Sequence, residues 1–232
     1  MAISASKNYN IDDMAVDENP KSQPPAVQYA DPTAMGLLSF AISAVVLGLY
    51  HCGVGLPHLN PSAGVGPDQA AFGMCLFLGG FVEFVRGLLQ FWHGNTLLMS
   101  THTIFAGFWF SYGMFMIHDL DLQGNFYKDD MHAWTFQIGV YLLAWSFLAF
   151  MFLVASLKTS PPTVAVFSTL ALTFLLLSIA NFLATMHPVT SMRLNKAGGA
   201  MCVICGMIAF YAGGSGIMKP DTTFVRFPQG SL

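Results

Sequence analysis

The chain has 232 residues, 54% of them apolar and only 9% Asp, Glu, Lys or Arg, and its formal net charge is −3. Soluble domains carry about 25% charged residues, so a mean hydropathy of +0.57 excludes an ordinary soluble enzyme. Four cysteines are too few for a disulfide scaffold, and nine Lys and Arg leave no basic footprint for nucleic acid, so the composition is that of a polytopic membrane protein.

Residues 1–32 come first and differ from the rest. They hold seven of the 21 charges, with Pro20, Pro24 and Pro25 and no apolar run. Such a segment buries no core and is expected to be a disordered tail. It lacks the apolar stretch of a cleavable signal, which leaves the first span as the insertion signal. Six apolar stretches of spanning length follow, at residues 34–57, 69–92, 96–118, 133–157, 163–186 and 194–218. Their connections are short, the longest being the acidic stretch 119–132. The expected architecture is therefore an all-α bundle of six transmembrane helices in one pore domain, residues 33–218, with a short C-terminal tail at 219–232. Five Lys and Arg fall on the side of the termini (Lys7, Lys21, Lys158, Lys219, Arg226) and three on the other (Lys128, Arg193, Lys196), which points to cytoplasmic termini.

The first span opens on Asp31-Pro32. Proline in a first helical turn loses no hydrogen bond, and the Asp31 carboxylate can cap the free N–H groups. The same N–H groups, around Met35 to Leu37, also favour an anion. The second span carries Glu83 and Arg86, the two charges that lie in a span away from its ends. Three residues apart, they share a helix face and can pair. Gly79, Glu83 and Gly87 recur every fourth residue on that face, so a neighbouring helix can approach there. Three readings stand: a structural ion pair, a proton site on a permeation path, or two groups that snorkel apart. His102 is the one histidine deep in a span, the third, and packing is its ordinary role. Cys202-x-x-Cys205 lies in the apolar last span, where small side chains serve close helix packing. No cluster of His, Cys, Asp and Glu has metal-ligand spacing, and no catalytic or cofactor motif occurs; the expectation is a non-enzyme without metal or cofactor.

The segment Asp31-Pro32-Thr33-Ala34-Met35-Gly36-Leu37-Leu38-Ser39-Phe40 resembles the signature of the acetate uptake transporter family, also called succinate–acetate permeases. Gly79-Gly80, Gly94-Asn95-Thr96, Phe108-Trp109, Gly139-Val140-Tyr141 and Asn181 follow in that family's order and spacing. The resemblance covers residues 30–227. It implies a six-helix homohexamer in a lipid bilayer, with a pore through each protomer for acetate and other small monocarboxylates, linked to protons. It also implies an apolar constriction of Phe40, Phe105 and Leu170, with Ala209 beside it, and a substrate path past Asp31, Pro32, Gly36, Asn95, Thr96 and Asn181. The plasma membrane is the expected location. Alternatives are a pore for ammonia or another small neutral solute, and a membrane sensor or organiser that transports nothing.

Phe40, Phe105 and Leu170 are 65 residues apart each time, and each is followed by Ala. Three helix-hairpin repeats around a pseudo-threefold axis, with the first, third and fifth spans lining the centre, produce that spacing. An apolar constriction of this kind gates by dewetting and passes a solute that sheds water. The chain departs from the family at Asp31, where Asn is usual, at Glu83, where Gln is usual, and at Arg86, where a small residue is usual.

Overall fold

The structure, a computed structural model, describes residues 30–55, 70–117, 120, 122–127 and 130–230. The disorder expected of the tail concerns residues 1–29, which lie outside these, as do His58, His118 and Lys128. Every regular element among the described residues is helical. In chain order these are α1 (Thr33–Cys52), α2 (Phe72–Trp92), α3 (Thr96–Met114), the short α4 (Leu122–Tyr127), α5 (Met131–Ala155), α6 (Pro161–Phe182) and α7 (Pro188–Ile217).

Local chemistry sets the helix ends. The Asn95 side chain accepts from Leu98 N–H and starts α3. Asp130 accepts from His132 N–H and Ala133 N–H and starts α5. Pro161 and Pro188 stand in the first turns of α6 and α7, where a missing N–H is harmless. Gly53 ends α1 at φ 70°, a left-handed cap that suits glycine.

Five of the six long helices are long and apolar enough to cross a membrane: α1, α2, α5, α6 and α7. Helix α3 has spanning length at 19 residues, but His102 and five Ser and Thr dilute its apolar side chains. The last helix begins at Pro188, six residues before the apolar stretch that announces it. Its first turns carry Ser191, Arg193, Asn195 and Lys196, which hid them from a hydropathy reading, yet Ser191 and Asn195 are buried.

The outer helices α2, α5 and α7 pack respectively on α3, α6 and α1, and α7 also packs on α6. Each repeat is thus an outer helix followed by an inner one, with α7 closing back onto α1. Glycines allow the closest approaches. A Cβ on Gly199 would lie 2.7 Å from the Gly48 carbonyl oxygen and the Cys52 nitrogen, so α1 and α7 meet backbone to backbone. Gly79 lies against the Trp109 indole, Gly80 against Phe110 and Gly87 against Thr103. The Gly79–Glu83–Gly87 face therefore abuts α3. That face runs through a π-helical stretch, Cys75–Val82, which ends where Glu83 begins.

Candidate functional site

A cavity of about 270 Å³ runs through the middle of the bundle. Its walls come chiefly from the inner helices, and they repeat. Helix α1 contributes Phe40, Ala44, Leu47 and His51; α3 and the turn after it contribute Phe105, Trp109, Tyr112 and Met116; α6 contributes Leu170, Phe174, Leu177 and Asn181. Within each set the steps are four, three and four residues, which keeps one helix face toward the centre. Between sets the offset is 65 residues at every level. The cavity is thus lined in four layers of three, the first of them the constriction expected from the sequence.

The first layer, Phe40, Phe105 and Leu170, is 7%, 5% and 5% exposed. Aromatic contacts brace it: Phe40 meets Trp109 edge to face at 6.3 Å, and Phe105 stacks on Phe174 at 6.4 Å. The fourth layer, His51, Met116 and Asn181, is polar at two of its three positions. His51 Nδ1 is 3.0 Å from Asn195 Oδ1, and Asn195 Nδ2 donates to the His51 carbonyl at 3.1 Å. With Asn195 so oriented, Nδ1 carries the proton, and Nε2 is left toward the Tyr112 hydroxyl at 3.4 Å. His51 stands in the last turn of α1, a helix end where a histidine ordinarily meets the membrane interface. It is 7% exposed and lines the cavity beside Asn181. A helix-end position conceals this, because the partner Asn195 is 144 residues away.

The charged pair is the second difference from the sequence reading. Glu83 and Arg86 are 1% and 0% exposed, but His102 stands between them. The His102 Nδ1 contacts the Glu83 carboxylate Oε2 and lies 2.8 Å from Arg86 Nη1. The lone packing histidine expected here is the hub of a three-residue cluster. One ring nitrogen bears either a proton or a lone pair, so it satisfies Glu83 or Arg86 and not both. Glu83 Oε1, Arg86 Nε and Arg86 Nη2 have no hydrogen-bond partner. Orphaned buried polar groups cost about 1–3 kcal/mol each, and more when charged. Trp109 Nε1, in the cavity wall, is likewise without a partner.

Arg86 reaches the bundle centre through Gly36. A Cβ on Gly36 would meet Arg86 Cδ at 1.8 Å, so the arginine stem fills the place an α1 side chain would take. Gly36 precedes Phe40 by four residues and His102 precedes Phe105 by three. The cluster therefore lies one helical turn, about 5 Å, beyond the first layer. It is on the side where α1 starts and α7 ends, since Gly216 faces Ala34 there.

Of the other sequence-derived positions, Asn181 lines the cavity. Ala209 is fully buried at 0% exposure without lining it. Pro32 is buried in the first turn, whereas Asn95 and Thr96 are exposed at the start of α3 and do not line the cavity. Asp31 accepts from Thr33 N–H at 2.9 Å, so its carboxylate serves the helix start. Burial pushes the Asp31 carboxyl up, but the Thr33 hydrogen bonds and the Arg86 and His93 charges outweigh it, and the group sits below its ordinary value. Cys202 and Cys205 are reduced and face the Ala44 and Val166 carbonyls across helix contacts, as packing residues do.

The profile of the GPR1/FUN34/yaaH family matches residues 15–232. Ammonia transport outward protein 2 of Saccharomyces cerevisiae is 30% identical over 208 residues, 89% of this chain and 68% of that protein. Acetate transporter protein patA of Aspergillus clavatus is 27% identical over 210 residues, 89% of this chain and 80% of that protein. Among solved structures, the bacterial acetate channel SatP superposes with a TM-score of 0.71 at 24% identity, covering 88% of this chain and all of that one. The same helical architecture is shared.

Proposed function

The chain belongs to the GPR1/FUN34/yaaH family, and from that premise we propose that it carries acetate and other small monocarboxylates across a membrane, with protons. The observation behind this is the layered cavity. Ligand pockets range from about 300 Å³ upward, so 270 Å³ suits a solute of a few heavy atoms. Its walls are Phe, Leu and Trp around a polar end at His51 and Asn181. A small acid, with a methyl group for such walls and a carboxyl that a proton neutralises, loses less on entering than a strongly hydrated ion. The layer Phe40, Phe105 and Leu170 serves as the constriction. Helix α3 crosses with the five more apolar helices, since it supplies one third of the lining. The relatives named as acetate transporters and the acetate channel of like fold support the same reading.

A second reading, release of ammonia, is favoured by the names of two yeast relatives. The buried Arg86 beside the route weighs against an ammonium ion and is neutral toward ammonia. The outer faces of α2 and α5 present Phe77, Phe81, Phe147 and Phe150 at 68%, 58%, 66% and 55% exposure. They suit lipid and neighbouring copies in a homohexamer. The plasma membrane, with both termini cytoplasmic, is the location that goes with uptake.

The test is uptake of labelled acetate by proteoliposomes at pH 5 and pH 7, against protein-free vesicles, with Phe40→Ala alongside. Uptake above the control is expected, with larger acids admitted by the variant. If acetate, propionate and succinate all fail to move at either pH, the reading is wrong; release of ammonia by the same vesicles establishes the second.

A further inference from the structure

We propose that Arg86, Glu83 and His102 form a carboxyl-binding site that accepts one carboxylate together with one proton, next to the constriction and on the terminal side of it. The proposal rests on the transport reading above and identifies where and how that substrate is held.

The unused hydrogen-bonding groups define the ligand. Arg86 offers Nε–H and Nη2–H, both without partners. These two N–H groups lie along one edge of the guanidinium and form a side-on fork, which matches the two oxygens of a carboxylate. The remaining nitrogen, Nη1, is turned to His102. Glu83 Oε1 is an acceptor without a partner, so it can receive a proton or an O–H. Two donors and one acceptor are what a carboxyl group with a single proton requires. A second cation would satisfy only Glu83 Oε1 and would be opposed by the Arg86 charge.

Charge gives the stoichiometry. With Glu83 ionised, Arg86 charged and His102 neutral, the buried cluster has no net charge. A bare carboxylate would leave it at −1 inside the bundle, whereas a carboxylate with one proton returns it to zero. The proton comes from the aqueous side and resides on Glu83 Oε1 or on the substrate oxygen that faces it; no other bond changes. The outlying charged groups are Asp31, which faces Arg86 from before α1, and His93 at the end of α2. Asp31 is engaged by Thr33, and its negative charge opposes a carboxylate that arrives without its proton. Helix α3 brings His102 to the cluster, and α1 brings Gly36, whose missing side chain admits the Arg86 stem.

The site lies one helical turn past the cavity, whose lining reaches Phe40, Phe105 and Leu170 but not the cluster. Continuing the 65-residue register one layer past the constriction gives Gly36, Thr101 and Val166. Thr101 and Val166 are 1% and 7% exposed, and Arg86 takes the place of a side chain at Gly36. A substrate that passes Phe40, Phe105 and Leu170 reaches the guanidinium next.

The experiment compares wild type with Arg86→Lys and Glu83→Gln in proteoliposomes of the full chain, reading acetate KM and protons moved per acetate. Arg86→Lys keeps the charge and loses the fork, and is expected to raise KM about tenfold or more. Glu83→Gln is expected to flatten the acid stimulation. The double variant Glu83→Gln/Arg86→Gln removes both charges together and covers the case in which Arg86→Lys does not fold; it too should show a raised KM and no acid stimulation. If wild type transports acetate and these variants keep its KM within twofold and its pH profile, the site is not there. An ordered water satisfying the cluster gives that same outcome. Wild-type vesicles that move ammonia and no carboxylate sink the transport reading itself, which separates the two failures.

Discussion

Gly36→Ala tests the placement of Arg86 more directly than any change to the arginine. The new methyl would stand 1.8 Å from Arg86 Cδ, 2.8 Å from Nε and 2.9 Å from Cγ, where ordinary contact starts at 3.4 Å. The stem must retreat by about 1.6 Å. The hydrogen bond from Nη1 to His102 is 2.8 Å long, and such a retreat takes it past hydrogen-bond range. Two effects then add: overpacking, about 1–3 kcal/mol, and loss of a hydrogen bond made by a buried charged group, about 1.5–3 kcal/mol. Together they set the expectation at about 3 kcal/mol, since the stem can share part of the displacement. For a chain of this size that corresponds to a loss of roughly 6–12 °C in melting temperature. Thermal unfolding in detergent, run as a double-mutant cycle with Arg86→Ala, isolates the cause. Without the arginine stem, Gly36→Ala should be neutral or raise stability by about 0.5–1 kcal/mol, the usual gain of Ala over Gly in a helix. Equal losses in both backgrounds would refute the overlap and the placement of Arg86 with it.

The α1–α7 contact and the Asp31 carboxyl give two further expected outcomes. A Cβ on Gly199 meets backbone atoms at 2.7 Å, which do not yield, whereas one on Gly107 meets nothing within 4 Å. Gly199→Ala should therefore lower the melting temperature through about 1–3 kcal/mol of overpacking, and Gly107→Ala should leave it level or raise it; shifts of equal sign and size would contradict the α1–α7 contact. The Asp31 carboxyl lies below its ordinary value of 3.8, so the folded state holds this proton more weakly than the unfolded chain. Its stabilisation is fully present above pH 3.8 and is lost as pH falls through the folded value. Asp31→Asn should accordingly be the less stable protein at neutral pH and converge with wild type in strong acid, and parallel acid-unfolding curves would count against this.

Much of this protein is legible in its residues. Membrane class and the all-helical fold follow from apolar stretches as long as a bilayer needs, because in lipid each helix must satisfy its own backbone bonds; five of the six expected spans are long and apolar enough to cross. The first cavity layer is legible too, since Phe40, Phe105 and Leu170 recur at a fixed interval and a repeat in sequence becomes a symmetry in space. Long-range pairing is what the chain order conceals. His51 and Asn195 meet across 144 residues, and nothing local to either marks it. Glu83 and Arg86 advertise a pair by their spacing, yet His102 comes between them. Only the packing of α2 on α3 could decide that, through the glycines that let the helices close. The side chain that fills the place beside Gly36 likewise belongs to another helix, so its identity was decided in three dimensions. Sequence sets which residues a membrane helix must carry; tertiary contact decides which buried charges find partners and which are left open to a ligand.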